Sequence, residues 1–308
     1  MTDARTLGAL LLLLLGVPPA AHAQEHGFAP AGDVRIHYTL RGQGPPLLIL
    51  NGGPGLPSTH FGPLADALSA HHRTILFDQR GTGRSTLPRL DGTTITAEAM
   101  VADVEAVREH LGIDTWIVMG HSWGGMYAML YAARHPERVR ALLLSASGGI
   151  DLEFTRTLTA NLRARLTDAE RAVLDGPRDG EDPAQTRRRR VAALAPAYVY
   201  HREHVPRVVE ALTETSTYVP TVNALVFQDL RRIGYDLRAA LRSFHKPVLI
   251  VQGRQDFLGE ETALQIHDAF PRSTLVWIDE CSHYLWWDQP EQYFETLHTF
   301  LASVRAQG

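Results

Sequence analysis

The run Gly120-His121-Ser122-Trp123-Gly124-Gly125 follows the apolar stretch Trp116-Ile117-Val118-Met119 and precedes Met126-Tyr127-Ala128-Met129-Leu130-Tyr131-Ala132-Ala133. It therefore joins a buried-strand pattern to a helix pattern. A serine between such glycines is forced onto a sharp strand-to-helix turn that lifts its hydroxyl above the sheet. Gly120 and Gly124 are needed there because a Cβ at either position would crowd the turn. Ser122 is the expected nucleophile. A glycine-rich turn with an incidental serine is the bland alternative, and it weakens once partners for the serine are found elsewhere in the chain.

A hydroxyl is a poor nucleophile at neutral pH and needs a base, which in turn needs a third group to orient it. Both occur where a strand pattern ends. Asp256 closes the turn Gln252-Gly253-Arg254-Gln255-Asp256 after Val248-Leu249-Ile250-Val251, and His283 closes Asp279-Glu280-Cys281-Ser282-His283 after Leu275-Val276-Trp277-Ile278. His283 would accept the serine proton and return it to the leaving group, while Asp256 would hold the imidazole tautomer. Asp279 is the nearest substitute if Asp256 is only a surface ion-pair partner. With 15 histidines in the chain, position after the last strand, and not composition, selects His283.

An attacked carbonyl also needs donors aimed at its developing charge, each worth roughly 3 to 4 kcal/mol of barrier. The Trp123 backbone N–H supplies one. The loop Asn51-Gly52-Gly53-Pro54-Gly55, just after the strand pattern Leu47 to Leu50, should supply the other, with Gly53 preferred over Gly52.

Two further groups invite chemistry and carry less. Asp78-Gln79-Arg80-Gly81-Thr82-Gly83-Arg84-Ser85 lacks the Gly-Lys-Ser/Thr of a phosphate loop, so Asp78 and Arg80 are read as braces of the site floor. His201 and His204 have metal-like spacing but no third ligand in register. No metal and no cofactor is expected.

The elements that must position these residues alternate. Strand-like runs occur at Val34 to Leu40, Pro46 to Leu50, Thr74 to Phe77, Trp116 to Met119, Ala141 to Leu144, Pro247 to Val251 and Thr274 to Ile278. Between most of them lie helical patterns, such as the one capped by Thr96, carrying Val101, Val104, Val107 and Leu111, and closed by Gly112. This predicts an α/β fold with a mostly parallel central sheet flanked by helices, whose strand-end turns converge at one edge. Between 150 and 235 the alternation stops and the chain turns mostly helical, which predicts an inserted cap. The run Arg187 to Arg190 in it is read as a solvated helix face. The final helix is expected from about Pro290 to Arg305.

The N-terminus carries Arg5, an apolar run from Leu7 to Val17 and the small-residue signal Ala21-His22-Ala23. Residues 1–23 read as a secretory signal peptide, too short to span a bilayer, so the mature chain is expected to be exported, periplasmic or secreted, with no stable membrane insertion. The domain plan is then 24–149 for the first part of the core, 150–235 for the cap and 236–308 for the second part. One cysteine, Cys281, allows no intramolecular disulfide and reads as a packed side chain. Thirty basic against 34 acidic residues give a formal charge of -4, too mild to suggest nucleic acid. The expected partner is a small-molecule or short-peptide substrate.

The order Ser, Asp, His along the chain is that of the α/β-hydrolase triad. More closely, the sequence resembles the prolyl iminopeptidase branch of the α/β hydrolases through Asn51-Gly52-Gly53-Pro54-Gly55, Asp78 to Ser85 and Gly120 to Gly125. The resemblance spans roughly 37–149 and resumes around Asp256 and His283. It implies an α/β-hydrolase fold, the triad Ser122, Asp256 and His283, and oxyanion donors at Gly53 and Trp123. It departs in two places. The branch usually has histidine at the position of Asn51, and it commonly recognises a substrate's free amine with a glutamate just after the triad aspartate and another from the cap. Here Phe257 follows Asp256, and Asn223-Ala224-Leu225-Val226-Phe227 is apolar where the second would be sought. Glu210, Glu214 and Asp229 are the remaining carboxylates that could substitute.

Two enzymatic readings follow: an aminopeptidase releasing an N-terminal residue through an acyl-enzyme, or an esterase, amidase or lactonase whose pocket, lined by Phe257, Phe227, Trp123 and Trp286, accepts uncharged acyl groups. A noncatalytic ligand-binding homologue is the third, and the intact Ser122, Asp256 and His283 set stands against it. The serine at the elbow excludes dehalogenase and epoxide hydrolase chemistry, which requires aspartate there.

Overall fold

Alternation along each strand sorts the apolar residues onto two faces. In the computed structural model, which describes residues 24–177, 182–213 and 217–306, Leu48, Leu50, Val118, Leu142, Leu144 and Ile250 enter one hydrophobic core. Their neighbours Leu47, Ile49, Ile117, Met119, Leu143 and Leu249 enter a second. A strand with apolar side chains on both faces has to lie inside a sheet covered on both sides.

Among the described residues the elements run β1 (Glu25–Ala31), β2 (Val34–Arg41), β3 (Pro46–Leu50), α1 (Gly62–Leu68), β4 (Arg73–Phe77), α2 (Ala97–His110), β5 (Trp116–Ser122), α3 (Trp123–Arg134) and β6 (Val139–Ser147). There follow α4 (Thr155–Ala164), α5 (Asp168–Asp175), α6 (Pro183–Leu194), α7 (Val205–Thr213) and α8 (Pro220–Arg232). The chain closes with α9 (Arg238–Leu241), β7 (Val248–Gly253), α10 (Glu260–Ala269), β8 (Ser273–Ile278), α11 (Leu285–Asp288) and α12 (Pro290–Ala306). The sheet order is β1-β2-β4-β3-β5-β6-β7-β8. The β1/β2 and β2/β4 pairs are antiparallel and every other pair is parallel. The carboxyl ends of β3 to β8 thus share one edge.

Each strand-like run of the sequence is a strand, and α2 begins at a Thr96 cap whose side chain accepts from the Ala99 N–H. β1 is an addition. Its Gly27 and Pro30 interrupt the apolar pattern, and it forms only because an edge strand can tolerate proline and a half-exposed face. Gly32, at a φ of 63°, lets the chain turn back into β2.

Helices α4 to α8 interrupt the core between β6 and α9. Their two stems meet: Asp151 and Asp236 form an antiparallel bridge, and the Leu237 N–H donates to the Ile150 carbonyl at 3.0 Å. Within this region Arg190 does more than face solvent, since its guanidinium caps the end of α5 at the Leu174 carbonyl, 2.6 Å away. No described helix is long and apolar enough to cross a membrane. The expected signal peptide, 1–23, lies outside the described residues.

Candidate active site

β5 delivers Ser122 at its last position, where the register with β6 shifts and the serine takes φ 57° and ψ -123°. That is a strained conformation for a residue with a side chain, and it persists only because its surroundings over-determine it. The glycines explain how. A Cβ on Gly120 would run into the Gly124 carbonyl, and one on Gly124 into the Leu50 carbonyl at the end of β3. The turn can be this sharp only without them.

His283 and Asp256 come from the neighbouring strand ends. The His283 Nδ1 lies 3.0 Å from Asp256 Oδ2 and 3.2 Å from Oδ1, with both side chains almost wholly buried. The loop carrying His283 is tied on both sides. Its N–H donates to the Tyr198 carbonyl at 3.0 Å, and its carbonyl accepts from His121 Nε2 at 2.8 Å. Phe257 covers the imidazole, with ring centroids 4.4 Å apart. Asp279 is different: 83% exposed at its side chain, it pairs with Arg254 at 3.1 Å on the surface. Of the two candidate acids, Asp256 is the one brought to His283.

Ser122 and His283 line one cavity of about 410 Å³ beside helices α4, α6 and α7. Gly53, Trp123, Phe227 and Phe257 line it too, joined by Leu158 and Leu162 of α4, Val191 and Leu194 of α6 and Leu212 of α7. Trp286 does not. It packs at 7% exposure against Phe61, Tyr284 and Tyr293 behind His121, because α11 turns its first two side chains into the second core. The expectation that Trp286 forms part of the pocket is corrected accordingly.

The braces Asp78 and Arg80 also differ in detail from expectation. Asp78 accepts from the Ser58 N–H at 2.9 Å and the Arg84 N–H at 3.0 Å. Burial alone would push its carboxyl up, but the bonds from His37, Arg84 and Ser58 outweigh that and hold it below the usual range. Arg80 points away from the site, making paired 2.6 Å bonds to Asp103 on α2. The residue that reaches the site floor is Gln79, between them, whose Oε1 accepts from Trp123 Nε1 at 2.9 Å.

None of the described lining residues is a carboxylate. Glu210 is exposed on α7. Asp229 is buried elsewhere, accepting from the Ala97 N–H at 2.8 Å and pairing with Arg232, beside a separate wide groove along α2. Glu214 lies outside the described residues. Arg187, on α6, is among the lining residues, and its guanidinium donates to the Leu212 carbonyl at 2.5 Å. His201 and His204 lie with ring centroids 6.2 Å apart, and among the described residues no three metal-ligating side chains gather. Burial pushes the Cys281 thiol up, away from reactivity.

Two histidines near the serine are held neutral. Burial drives His121 well below its ordinary pKa, and it lowers His60 to about 4, although the bond from Nδ1 to the Pro57 carbonyl opposes this. The unfolded chain, with histidine near 6.5, therefore binds the proton that the folded chain refuses between pH 6.5 and 4. The stability this contributes is complete above pH 6.5 and falls with pH. His60 should cost about 2 kcal/mol between pH 7 and pH 5. Urea unfolding at both pH values checks this: His60→Asn should lose less stability over that interval than the parent, and an equal loss would show that His60 does not carry the effect.

Comparison with known proteins agrees with the geometry. Residues 45–290 match the family model described as the alpha/beta hydrolase fold. A probable proline iminopeptidase of Streptomyces coelicolor is 30% identical, covering 86% of this chain and 91% of that protein. Among solved structures, the proline iminopeptidase of Mycobacterium smegmatis superposes with a TM-score of 0.70 at 24% identity, over 91% of this chain and 98% of that one. An esterase from Rhodococcus superposes equally well, with a TM-score of 0.71 at 24% identity over 91% and 99%. At that identity both likenesses speak for the fold alone.

Proposed function

The chain belongs to the prolyl iminopeptidase branch of the α/β hydrolases, and from that premise we propose that it is an exported serine hydrolase working through an acyl-enzyme, of the aminopeptidase type its relatives are named for. The observation that carries the catalytic part is the 3.0 Å pairing of His283 Nδ1 with buried Asp256 in the same cavity as the strained Ser122. With Nδ1 committed to Asp256, Nε2 is the nitrogen left to exchange a proton with the serine.

In the first step Ser122 Oγ bonds to the substrate carbonyl carbon as its proton passes to His283 Nε2. The Gly53 and Trp123 N–H groups hold the resulting oxyanion. As the first residue of α3, Trp123 has an N–H with no partner four residues earlier in its helix. Collapse expels the amine or alcohol, which takes the proton from His283 and leaves an ester on Ser122. Water then attacks that ester, gives a proton to His283, and releases the acid as the proton returns to Ser122. Export rests on the sequence of residues 1–23.

A second reading, an esterase or amidase for uncharged acyl groups, is favoured by one observation: the described lining is mostly apolar and includes Arg187 but no carboxylate. An ammonium buried without an anionic partner is costly. Cleavage of proline p-nitroanilide and of its N-acetylated twin decides between them. Aminopeptidase action predicts a preference for the free amine of about 100-fold or more in kcat/KM, the loss of one buried charge-assisted contact. Equal cleavage of the two, or cleavage of short acyl p-nitrophenyl esters alone, would move the assignment to the second reading.

A further inference from the structure

Asn51 and Gln79 are both 1% exposed beside the candidate oxyanion site, and their amide groups are fully used. Asn51 Nδ2 donates to the Gly52 carbonyl at 3.0 Å and to the Leu56 carbonyl at 3.1 Å. Gln79 Nε2 donates to the Asn51 carbonyl at 3.0 Å and to Asn51 Oδ1 at 3.3 Å. Gln79 Oε1 accepts from the Trp123 indole at 2.9 Å. Each amide can face only one way here. Turning either over would set its oxygen against carbonyl oxygens, and for Gln79 would also set its NH2 against the indole N–H.

This network ends on the Gly52–Gly53 peptide and on the Trp123 indole. In a trans peptide the carbonyl and the following N–H point to opposite sides. Asn51 holds the Gly52 carbonyl on the buried side, so the Gly53 N–H of the same peptide is turned the other way, toward the cavity that Gly53 lines. The loop cannot be placed by steric packing alone. Gly53 sits at φ 68°, and Gly52 is so close to the elbow that a Cβ there would come within 2.9 Å of Ser122 Cβ. A pair of glycines at that point leaves the peptide free to rotate unless something fixes its carbonyl. The other end of the network, through Gln79, grips the indole of Trp123.

We propose that Asn51 and Gln79 form a buried amide clamp that sets the Gly52–Gly53 peptide and Trp123 in register with each other, making both residues positioning residues for the oxyanion hole. Neither touches substrate. The inference rests on the serine-hydrolase reading above. It also accounts for one of the two places where this chain departs from its branch: an asparagine in place of the usual histidine is compatible with activity because its amide supplies the carbonyl-holding N–H and accepts from Gln79 as well.

The test separates donor alignment from mere folding. Gln79→Met keeps the length and removes both polar ends, while Asn51→Ser shortens the donor out of reach. Full removal of one oxyanion donor costs about 100- to 1,000-fold in kcat, and a tilted donor keeps part of its effect, so each variant should lose roughly 10- to 100-fold in kcat on p-nitrophenyl acetate. KM should stay within about two-fold, since the ground-state carbonyl makes little use of the donors. The inhibition constant of octyl trifluoromethyl ketone, which forms a tetrahedral oxyanion on the serine, should rise by a similar factor. Inhibition by octanoate, which forms no such adduct, should not change. Asn51→His should recover most of the kcat.

Unchanged kcat in both variants, or a fall in kcat with trifluoromethyl ketone affinity intact, would overturn the clamp. If Gln79→Met does not fold, Asn51→Ser and Asn51→His carry the same comparison. Failure of the underlying reading looks different: a Ser122→Ala protein would then hydrolyse the ester as fast as the parent.

Discussion

Ser122→Ala should abolish turnover and leave the fold in place. In serine hydrolases that act through a triad, loss of the nucleophile alone costs on the order of 10⁶ in kcat, because the three groups act as a unit. Truncation here should not cost stability. Ser122 is held at φ 57°, a conformation that alanine bears no worse than serine, and the hydroxyl faces the cavity instead of the core. The measurement is paired: kcat on whichever ester or anilide the parent cleaves, and labelling by a fluorophosphonate. Both should vanish together while the thermal midpoint holds within a few degrees. Hydrolysis at the parental rate in a clean preparation would defeat the nucleophile assignment, and a parent protein that neither turns over nor labels would revive a noncatalytic binding role.

The second large effect belongs to the acid. Asp256→Asn is nearly isosteric, yet an amide beside His283 Nδ1 can present its NH2 and stabilise the wrong tautomer, which moves the proton to Nε2, where the base must be free. A loss of about 10⁴ in kcat is expected, with little change in KM. Asp279→Asn is the control. Its carboxylate is exposed and pairs with Arg254 on the surface, so its removal should change kcat by less than two-fold and stability by less than about 1 kcal/mol. The reverse pattern, with Asp279 essential and Asp256 dispensable, would mean that the 3.0 Å contact in the structure is not the working one.

These two predictions draw on different depths of the sequence. Ser122 is legible from a single local run, since the glycines on either side have no other use than to let strand become helix within one residue. His283 is legible only from its place after the last strand pattern, and Asp256 only from its place after the strand before. All three rest on the fact that parallel strands send their carboxyl ends to one edge. Edge strand β1 was not legible, because Gly27 and Pro30 erase the alternation and pairing with β2 supplies what the local pattern lacks. Trp286 misled for a related reason. A tryptophan close in sequence to His283 is compatible with a pocket wall or with a core, and the direction of the short helix α11 makes it core.

Local pattern was enough for the α/β alternation, the strand-to-helix turn at Ser122 and the run of helices that follows β6, because periodicity and backbone sterics act over a few residues at a time. Which acid meets the histidine, which aromatic rings line the cavity, and that Gln79 holds Trp123 while Asn51 holds the Gly52 peptide depend on contacts between residues 27 to 44 positions apart or on the rotation of one side chain. Those choices are made by packing in three dimensions, where a single turn of helix or one trans peptide decides whether a group faces the cavity or the core.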